Sequence, residues 1–403
     1  MKEQNIILRS DKMEQRKRKP RILVSAFGVG YGHSTRTYAL IKQLKKFANV
    51  KIVAYDLSYD FFQKMNLNPI KLRGSIKYRD TTFSFSLFSL LADNIKIPFY
   101  LNKNYELLSD LIDKFKPDLI ISDSEPYLSL TARIKEIPNV MLINWFSTLN
   151  EYNYLPTRLK HGSVRNQQFI ISKLMDLALK ETDLILNPSF GIEKSFVSKL
   201  KYTGVFVRKK PDELPRIETL KKKYNLPEEY YLVSFGGSAY GKNLLKELIP
   251  VFMKYDDKKF IISTNNAVRR KQVKKNLILL PFIDDYLEYL KPCKGVISLA
   301  GHSTISEALC YKKPIFVVPI LNHIEQLGNA SMLERREFGK TVFLKGDEKD
   351  VELLEKKLNS FFRHEVFFEE VLNSTKIDCN GVEESVGFIK KLLESIKKKR
   401  SKN

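Results

Sequence analysis

What most limits the folds open to this chain is an alternation of short apolar runs with segments of helical periodicity. From residue 21 the runs are RILVSAFG (21–28), VKIVAYD (50–56), DLIISD (118–123), VMLINWF (140–146) and LILNPS (184–189). Apolar runs this short read as strands buried on both faces, and the helical segments between them as crossovers of a parallel sheet. The alternation pauses in VRKKPDELPRIETLKKKYNLPEEY (207–230), whose three prolines and low apolar content predict a linker with one amphipathic helix. A second series follows: YYLVSFGG (230–237), KFIIST (259–264), LILLPFI (277–283), GVISLAG (295–301) and PIFVVPI (314–320). At 403 residues the chain is too long for one ordinary core. The expected fold class is α/β, with two doubly wound Rossmann-like domains facing a cleft. Residues 1–20 are expected to form a basic, disordered tail, 21–207 the first domain, 208–229 the linker, 230–375 the second domain, and 376–403 a last helix with a basic tail.

The chain carries 69 Lys and Arg against 46 Asp and Glu, a net charge of +23. Eleven of those charges lie in residues 1–21 and 390–403. Basic tails are solvated or meet an anionic surface, and no recognition module for DNA or RNA accompanies them, so nucleic acid is not expected as a partner. Cys293, Cys310 and Cys379 lie far apart with no C-x-x-C pair, which indicates neither a disulfide framework nor a zinc site. The strongly charged first twenty residues exclude a secretory signal, and no apolar run approaches the ~20 residues needed to cross a bilayer. The expected location is the cytoplasm, with peripheral contact at the inner face of the cell membrane.

In open α/β sheets, ligands bind where strand C-termini meet helix N-termini. Each half opens with a glycine loop there: Gly28, Gly30 and Gly32, followed by His33, in the first, and Gly236, Gly237 and Ser238 in the second. Glycines admit close backbone approach, and the N–H groups of a following helix favour an anion such as a diphosphate. Tight turns need glycine too, so the loops alone are not decisive.

The densest polar cluster in apolar surroundings is AGHSTISEALCYKKPIFVVPILNHIEQLGNA (300–330). His302, Ser303 and Thr304 directly follow a strand, where Ser or Thr would cap a helix whose N–H groups face a phosphate. Glu307, one turn on, can accept both hydroxyls of a ribose. The next strand delivers Asn322, His323, Glu325 and Gln326 at its exit, a set of donors and acceptors suited to a sugar. Three of the five histidines fall in these loops.

AGHSTISEAL, the P-I-F-V-V-P strand and HIEQLGNA together resemble the donor-binding motif of two-domain GT-B glycosyltransferases, particularly family 28. That family includes the bacterial enzyme adding N-acetylglucosamine to lipid-linked muramyl peptide; the match is strongest to uncharacterised archaeal members. The resemblance runs from GVGYGH to the C-terminal motif. It implies that Glu307 holds the ribose of a UDP-sugar, with Ser303, Thr304 and the Gly236-Gly237-Ser238 loop near the phosphates. Glu325 and Gln326 would contact the donor hexose. The implied reaction is an inverting transfer to a hydroxyl acceptor without bound metal or other cofactor, UDP-sugar being a substrate. The bacterial HxDRQQ-like stretch is replaced by Asn322-His323-Ile324-Glu325-Gln326, which leaves the sugar open.

Such a transfer needs a base, and His33 suits it because imidazole titrates near neutral pH. Asp123, in SDSEP at another strand exit, can orient and stabilise the imidazolium. Asp123-Ser124-Glu125 also has the look of a D-x-D metal motif, which belongs to a different, single-domain architecture. TTFSFSLFSLLADNIKIPFYLNKNY (81–105) lacks a clean period and suits either core and lid or contact with lipid; family members commonly glycosylate lipid-linked acceptors, so a lipid or glycan acceptor is expected. A nicotinamide-dependent oxidoreductase is a rival because Asp56 ends the second strand, but GVGYGH displaces the third glycine of G-x-G-x-x-G. A sugar-nucleotide 2-epimerase and a non-catalytic UDP-sugar-binding subunit stay open as alternatives.

Overall fold

The computed structural model describes residues 18–73, 97–191, 195–236, 239–264, 267–281 and 283–402. The first half runs β1 (Arg21–Ala26), α1 (Tyr31–Leu44), β2 (Asn49–Ala54), α2 (Asp56–Lys64), β3 (Ile70–Lys71), α3 (Ile97–Phe115), β4 (Leu119–Asp123), α4 (Pro126–Ile134), β5 (Asn139–Leu142), α5 (Trp145–Asn153), α6 (Gly162–Glu181), β6 (Leu184–Pro188) and β7 (Leu200–Thr203). The second half runs α7 (Ile217–Tyr224), β8 (Tyr231–Ser234), α8 (Ala239–Phe252), β9 (Phe260–Ser263), β10 (Gln272–Lys274), β11 (Leu277–Leu280), α9 (Tyr286–Leu290), β12 (Gly295–Ser298), α10 (His302–Cys310), β13 (Ile315–Val317), α11 (Ile324–Arg335), β14 (Gly339–Thr341), α12 (Asp350–Arg363), α13 (Glu365–Ser374) and α14 (Gly381–Lys402). Each half builds a seven-stranded sheet, ordered β3-β2-β1-β4-β5-β6-β7 and β10-β11-β9-β8-β12-β13-β14. The strand pairs are parallel apart from the β10–β11 edge hairpin. Strand order reverses between β1 and β4 and between β8 and β12, so ligand crevices open at the C-terminal ends of those four strands.

The central strands are mostly apolar because helices cover both faces, whereas the outer ones admit polar residues. On β4, Leu119 and Ile121 face one way into a cluster with α1 and α14, while Ile120 faces the other way with α3 and α4. Ser122 shares the Ile120 face and pairs in register with Met141, which pairs with Ile185 in the cluster under α6. The helices α3, α4 and α6 therefore form one layer of the first sheet. The last helix crosses back from the second half: Val382, Ile389, Leu393 and Ile396 lay a helical stripe against the first sheet. Arg18 and Arg400 both pair with Asp118 at 2.8 Å, which brings both ends of the described chain to the foot of β4.

One expectation is corrected. Cys310, closing α10, and Cys379, just before α14, form a disulfide with a Cα–Cα distance of 5.9 Å. Their separation of 69 residues concealed this. The returning chain packs Leu372, Ile377 and Cys379 into the same apolar cluster that holds Cys310, and a cytoplasmic reading based on unpaired cysteines loses that support. Cys293 is free and buried, its thiol pushed up to about 11 by burial. The N-terminal tail before Arg18 and residues 81–96 of the aromatic segment lie outside the described residues, and residues 97–105 begin α3.

Denaturation of the oxidised protein should expose one alkylatable thiol without reductant and three with it. Cys379→Ser should lower the unfolding free energy by about 2–4 kcal/mol in urea titration under oxidising conditions and change nothing once the wild type is reduced.

Candidate active site

The crevice loops are shaped by their glycines. Gly30, the N-cap of α1, has φ +74° and Gly236, at the exit of β8, has φ +69°, so both matching loops turn through a region closed to most side chains. Gly28 lies against the Tyr55 ring. The Gly32 carbonyl accepts a hydrogen bond from Ser303 Oγ at 3.0 Å, which joins the two loops across the cleft. Gly237 and Ser238 lie outside the described residues.

His33 and Asp123 meet. His33 Nδ1 stands 2.8 Å from Asp123 Oδ1. Arg36 Nε donates to Oδ2 at 2.7 Å, Thr37 Oγ1 donates to Oδ2 at 2.7 Å, and Arg36 also donates to Oδ1. Positions 33, 36 and 37 share one face of α1, and that face lies over the end of β4. Burial alone would raise the Asp123 carboxyl, but the Arg36 guanidinium and then His33 outweigh it and hold it well below the usual carboxylate range. An ionised carboxylate only accepts, so His33 Nδ1 is the donor in this bond.

The rest of SDSEP is committed to structure. Ser124 adopts φ +52°, and the Glu125 carboxylate caps α4 through the N–H groups of Tyr127 and Leu128, both at 2.8 Å. Burial pushes Glu125 up to about 7, with those N–H groups opposing. Both carboxylates of the D-x-D look-alike thus have protein partners.

Gly32, Gly236, Ser303, Thr304 and Glu307 line one cavity of about 310 Å³ between the two sheets. Arg208, from the linker after β7, forks onto Glu307 with Nε–Oε1 at 2.7 Å and Nη2–Oε2 at 2.9 Å, and the Tyr286 ring lies 5.7 Å from its guanidinium carbon. The helix cap is Gly301 rather than Ser or Thr; His302, Ser303 and Thr304 form the first turn, and Ser303 turns its hydroxyl to Gly32.

The remaining polar set divides. His302 is buried, stacks on Phe190 at 4.3 Å between ring centres, and is pushed down to about 4 by burial, so its imidazole is neutral at physiological pH. The His323 ring caps α11 by accepting from the Gln326 N–H, and the Gln326 side-chain carbonyl accepts from the Ile320 N–H at 2.9 Å. Glu325 is acted on by the first domain as well: burial raises its carboxyl, and His323, His302, His33 and Arg36 together bring it below its ordinary value. Reading the sequence missed Arg36, Thr37 and Arg208. The helical spacing of the first two from His33 was a visible signal; Arg208 gave none, because its partner lies 99 residues away.

The pattern described as Glycosyl transferase family 1 matches residues 20–359. An uncharacterized glycosyltransferase of Methanosarcina acetivorans is 27% identical over 341 residues, covering 80% of this chain and 85% of its own. A UDP-N-acetylglucosamine--N-acetylmuramyl-(pentapeptide) pyrophosphoryl-undecaprenol N-acetylglucosamine transferase of Thermosipho melanesiensis is 24% identical over 341 residues, covering 81% and 87%. Among solved structures, the spinosyn forosaminyltransferase SpnP superposes with a TM-score of 0.63 at 14% identity, covering 94% of this chain and all of its own. MurG of Acinetobacter baumannii gives 0.57 at 15%, covering 92% and 99%. Two facing parallel-sheet domains with these neighbours define a glycosyltransferase of GT-B fold. The chain belongs to glycosyl transferase family 1.

The Arg208–Glu307 fork is largely shielded from solvent. Glu307→Ala, which strands the guanidinium, should cost about 3–5 kcal/mol of stability, whereas Arg208→Met combined with Glu307→Leu should cost much less. Urea unfolding of the ligand-free proteins checks both.

Proposed function

We propose that this glycosyltransferase moves a hexose or N-acetylhexosamine, with inversion, from a UDP-sugar to a hydroxyl of a lipid or lipid-linked acceptor. The observation that carries the donor half is the gathering of Gly236, Ser303, Thr304 and Glu307 around one cavity whose opposite wall holds the loop before His33. In this reading the first-turn N–H groups of α10 stabilise the departing diphosphate, and Glu307 takes the ribose with the lone pairs Arg208 leaves. His33 Nε2 removes the acceptor proton while Asp123 holds the ring. Glu325 and Gln326 face the hexose, and no metal takes part.

The acceptor half draws on the outer face of the first domain. In the layer formed by α3, α4 and α6, Phe99, Leu130, Ile134, Phe169, Leu174 and Leu177 are exposed, and Arg133 ties α4 to α6 through Glu181 at 2.9 Å. Lys135 and Lys173 lie among them, with Lys173 5.7 Å from the Phe169 ring centre. Gln167, on α6, donates to the Asn322 carbonyl across the cleft, so this apolar face begins beside the site. Among the described residues no helix is long and apolar enough to cross a membrane. An apolar surface with basic neighbours suits peripheral contact with anionic lipid, each Lys or Arg there contributing about 1 kcal/mol.

A panel of nucleotide sugars tests the donor. The correct one at 100 times its dissociation constant should stabilise the protein by about 2.7 kcal/mol, and Glu307→Ala should lose that gain. A response to NAD(H) alone would overturn the reading, and conversion of the donor to its 2-epimer without acceptor would replace it with the epimerase. His33→Gln should retain donor binding while turnover falls about 10²–10⁴-fold. Sedimentation with anionic vesicles should retain the wild type and lose Phe169→Glu/Leu177→Glu by at least about tenfold in affinity; equal sedimentation would remove this face from the acceptor reading.

A further inference from the structure

Asp123 receives more than an orienting carboxylate needs. Its two oxygens accept from His33, from Thr37 and twice from Arg36, so its hydrogen-bonding capacity is filled and its charge is matched by a buried guanidinium. Arg36 also approaches the imidazole itself, with Nη2 3.1 Å from His33 Nδ1. Guanidinium nitrogens never accept, and Nδ1 already donates to Asp123. The contact is therefore one between two donors, and it disfavours a positive charge on the ring beside the guanidinium.

The other groups facing His33 come from separate elements. Asp123 ends β4, Arg36 is one turn along the histidine's own helix, Glu325 reaches in from α11 and the neutral His302 from α10. Phe27 meets the ring edge-on at 5.5 Å between centres and contributes no charge. Arg36 is thus the cation set against the two carboxylates of this group.

We infer that Arg36 is a positioning residue that separates two tasks usually joined in an acid–histidine pair: by neutralising Asp123 it lets the carboxylate orient the imidazole without drawing a proton onto it. This inference rests on the reading of His33 as the base. A base must be unprotonated at the start of the reaction. A buried carboxylate beside it with no countercharge would favour the protonated ring, whereas the Arg36–Asp123 pair keeps the geometry and cancels the field.

Arginine suits this role for a geometric reason. Its fork reaches both oxygens at once and leaves Oδ1 in line with His33, whereas lysine offers a point charge to one oxygen.

The test reads the imidazole directly and needs no substrate. The protein has five histidines, so ¹³C-histidine NMR gives a countable set of signals, and the resonance missing in H33Q assigns His33. On titration, the His33 midpoint in R36M should move to higher pH by about one unit or more relative to wild type, because Asp123 is left unmatched. R36K, which keeps the charge, should stay close to wild type. Donor-dependent UDP release should follow the same order: R36M should show an acid limb moved up, its rate recovering as pH rises, and R36K should restore the limb. An unchanged or lowered midpoint in R36M would overturn the inference, as would a rate loss uniform across pH. If R36M does not fold, R36Q takes its place with the same expected direction. Sugar transfer by H33Q at the wild-type rate would remove His33 as the base, while the NMR midpoint would still decide what Arg36 does to the ring.

Discussion

A carboxylate buried at the end of a strand has to be matched, and the way Asp123 is matched fixes the first domain's half of the site. Burial of an unpaired charge costs several kcal/mol, so Asp123, 1% exposed, requires its donors. They come from three side chains on a single helix face, and this sets both the rotation of α1 about its axis and its position over β4. The loop before α1 has to accommodate that placement, leaving β1 at Ala26 and entering the helix at Tyr31, which calls for the left-handed turn at Gly30. The imidazole inherits its place from a bond whose first role is structural.

The second domain is brought to this frame by contacts that are mostly specific polar pairs. Gln167 bonds the Asn322 carbonyl and the Ile324 N–H, Arg335 pairs with Glu151, and Arg336 donates to the Phe190 carbonyl. A small apolar cluster of Leu155, Val164, Ile324 and Leu327 lies among them. The chain passes twice between the sheets, and the two passages are tied together where the Gly204 N–H meets Glu384 and the Val205 N–H meets the Asp378 carbonyl. The disulfide adds α10 to this junction, so the helix whose first turn lines the cavity is anchored at its far end to the returning chain.

The frame was legible in the sequence wherever a strand is buried on both faces. The ten apolar runs coincide with β1, β2, β4, β5, β6, β8, β9, β11, β12 and β13, because a strand covered on both sides cannot afford a polar face. The strands that escaped notice, β3, β7, β10 and β14, are the outer members of the sheets or short flanking pieces, where one side of the ladder needs less cover and residues such as Lys71, Lys201 and Lys340 are admitted. The candidate site was legible as a set of strand exits and illegible as a set of partners. Nothing along the chain places Arg208 on Glu307 or Cys379 on Cys310, since those meetings follow from strand order and from the return of α14. The packing of the His302 ring on Phe190 was likewise illegible, since Phe190 comes from the other domain.

The charges around His33 form a set that a proton transfer would leave balanced. Before transfer, Arg36 faces Asp123 and Glu325, a net charge of −1 with neutral imidazole; after it, the imidazolium brings the sum to zero. Arg36 matches Asp123, so the further carboxylate that would face an imidazolium is Glu325. That residue belongs to the second domain. In a transferase using His33 as its base, the ring would then meet its second carboxylate when α11 stands against α1, the same arrangement that brings the donor cavity together with the first domain. Orientation of the ring would be a property of the first sheet alone, and the set of charges facing it a property of the two domains in contact.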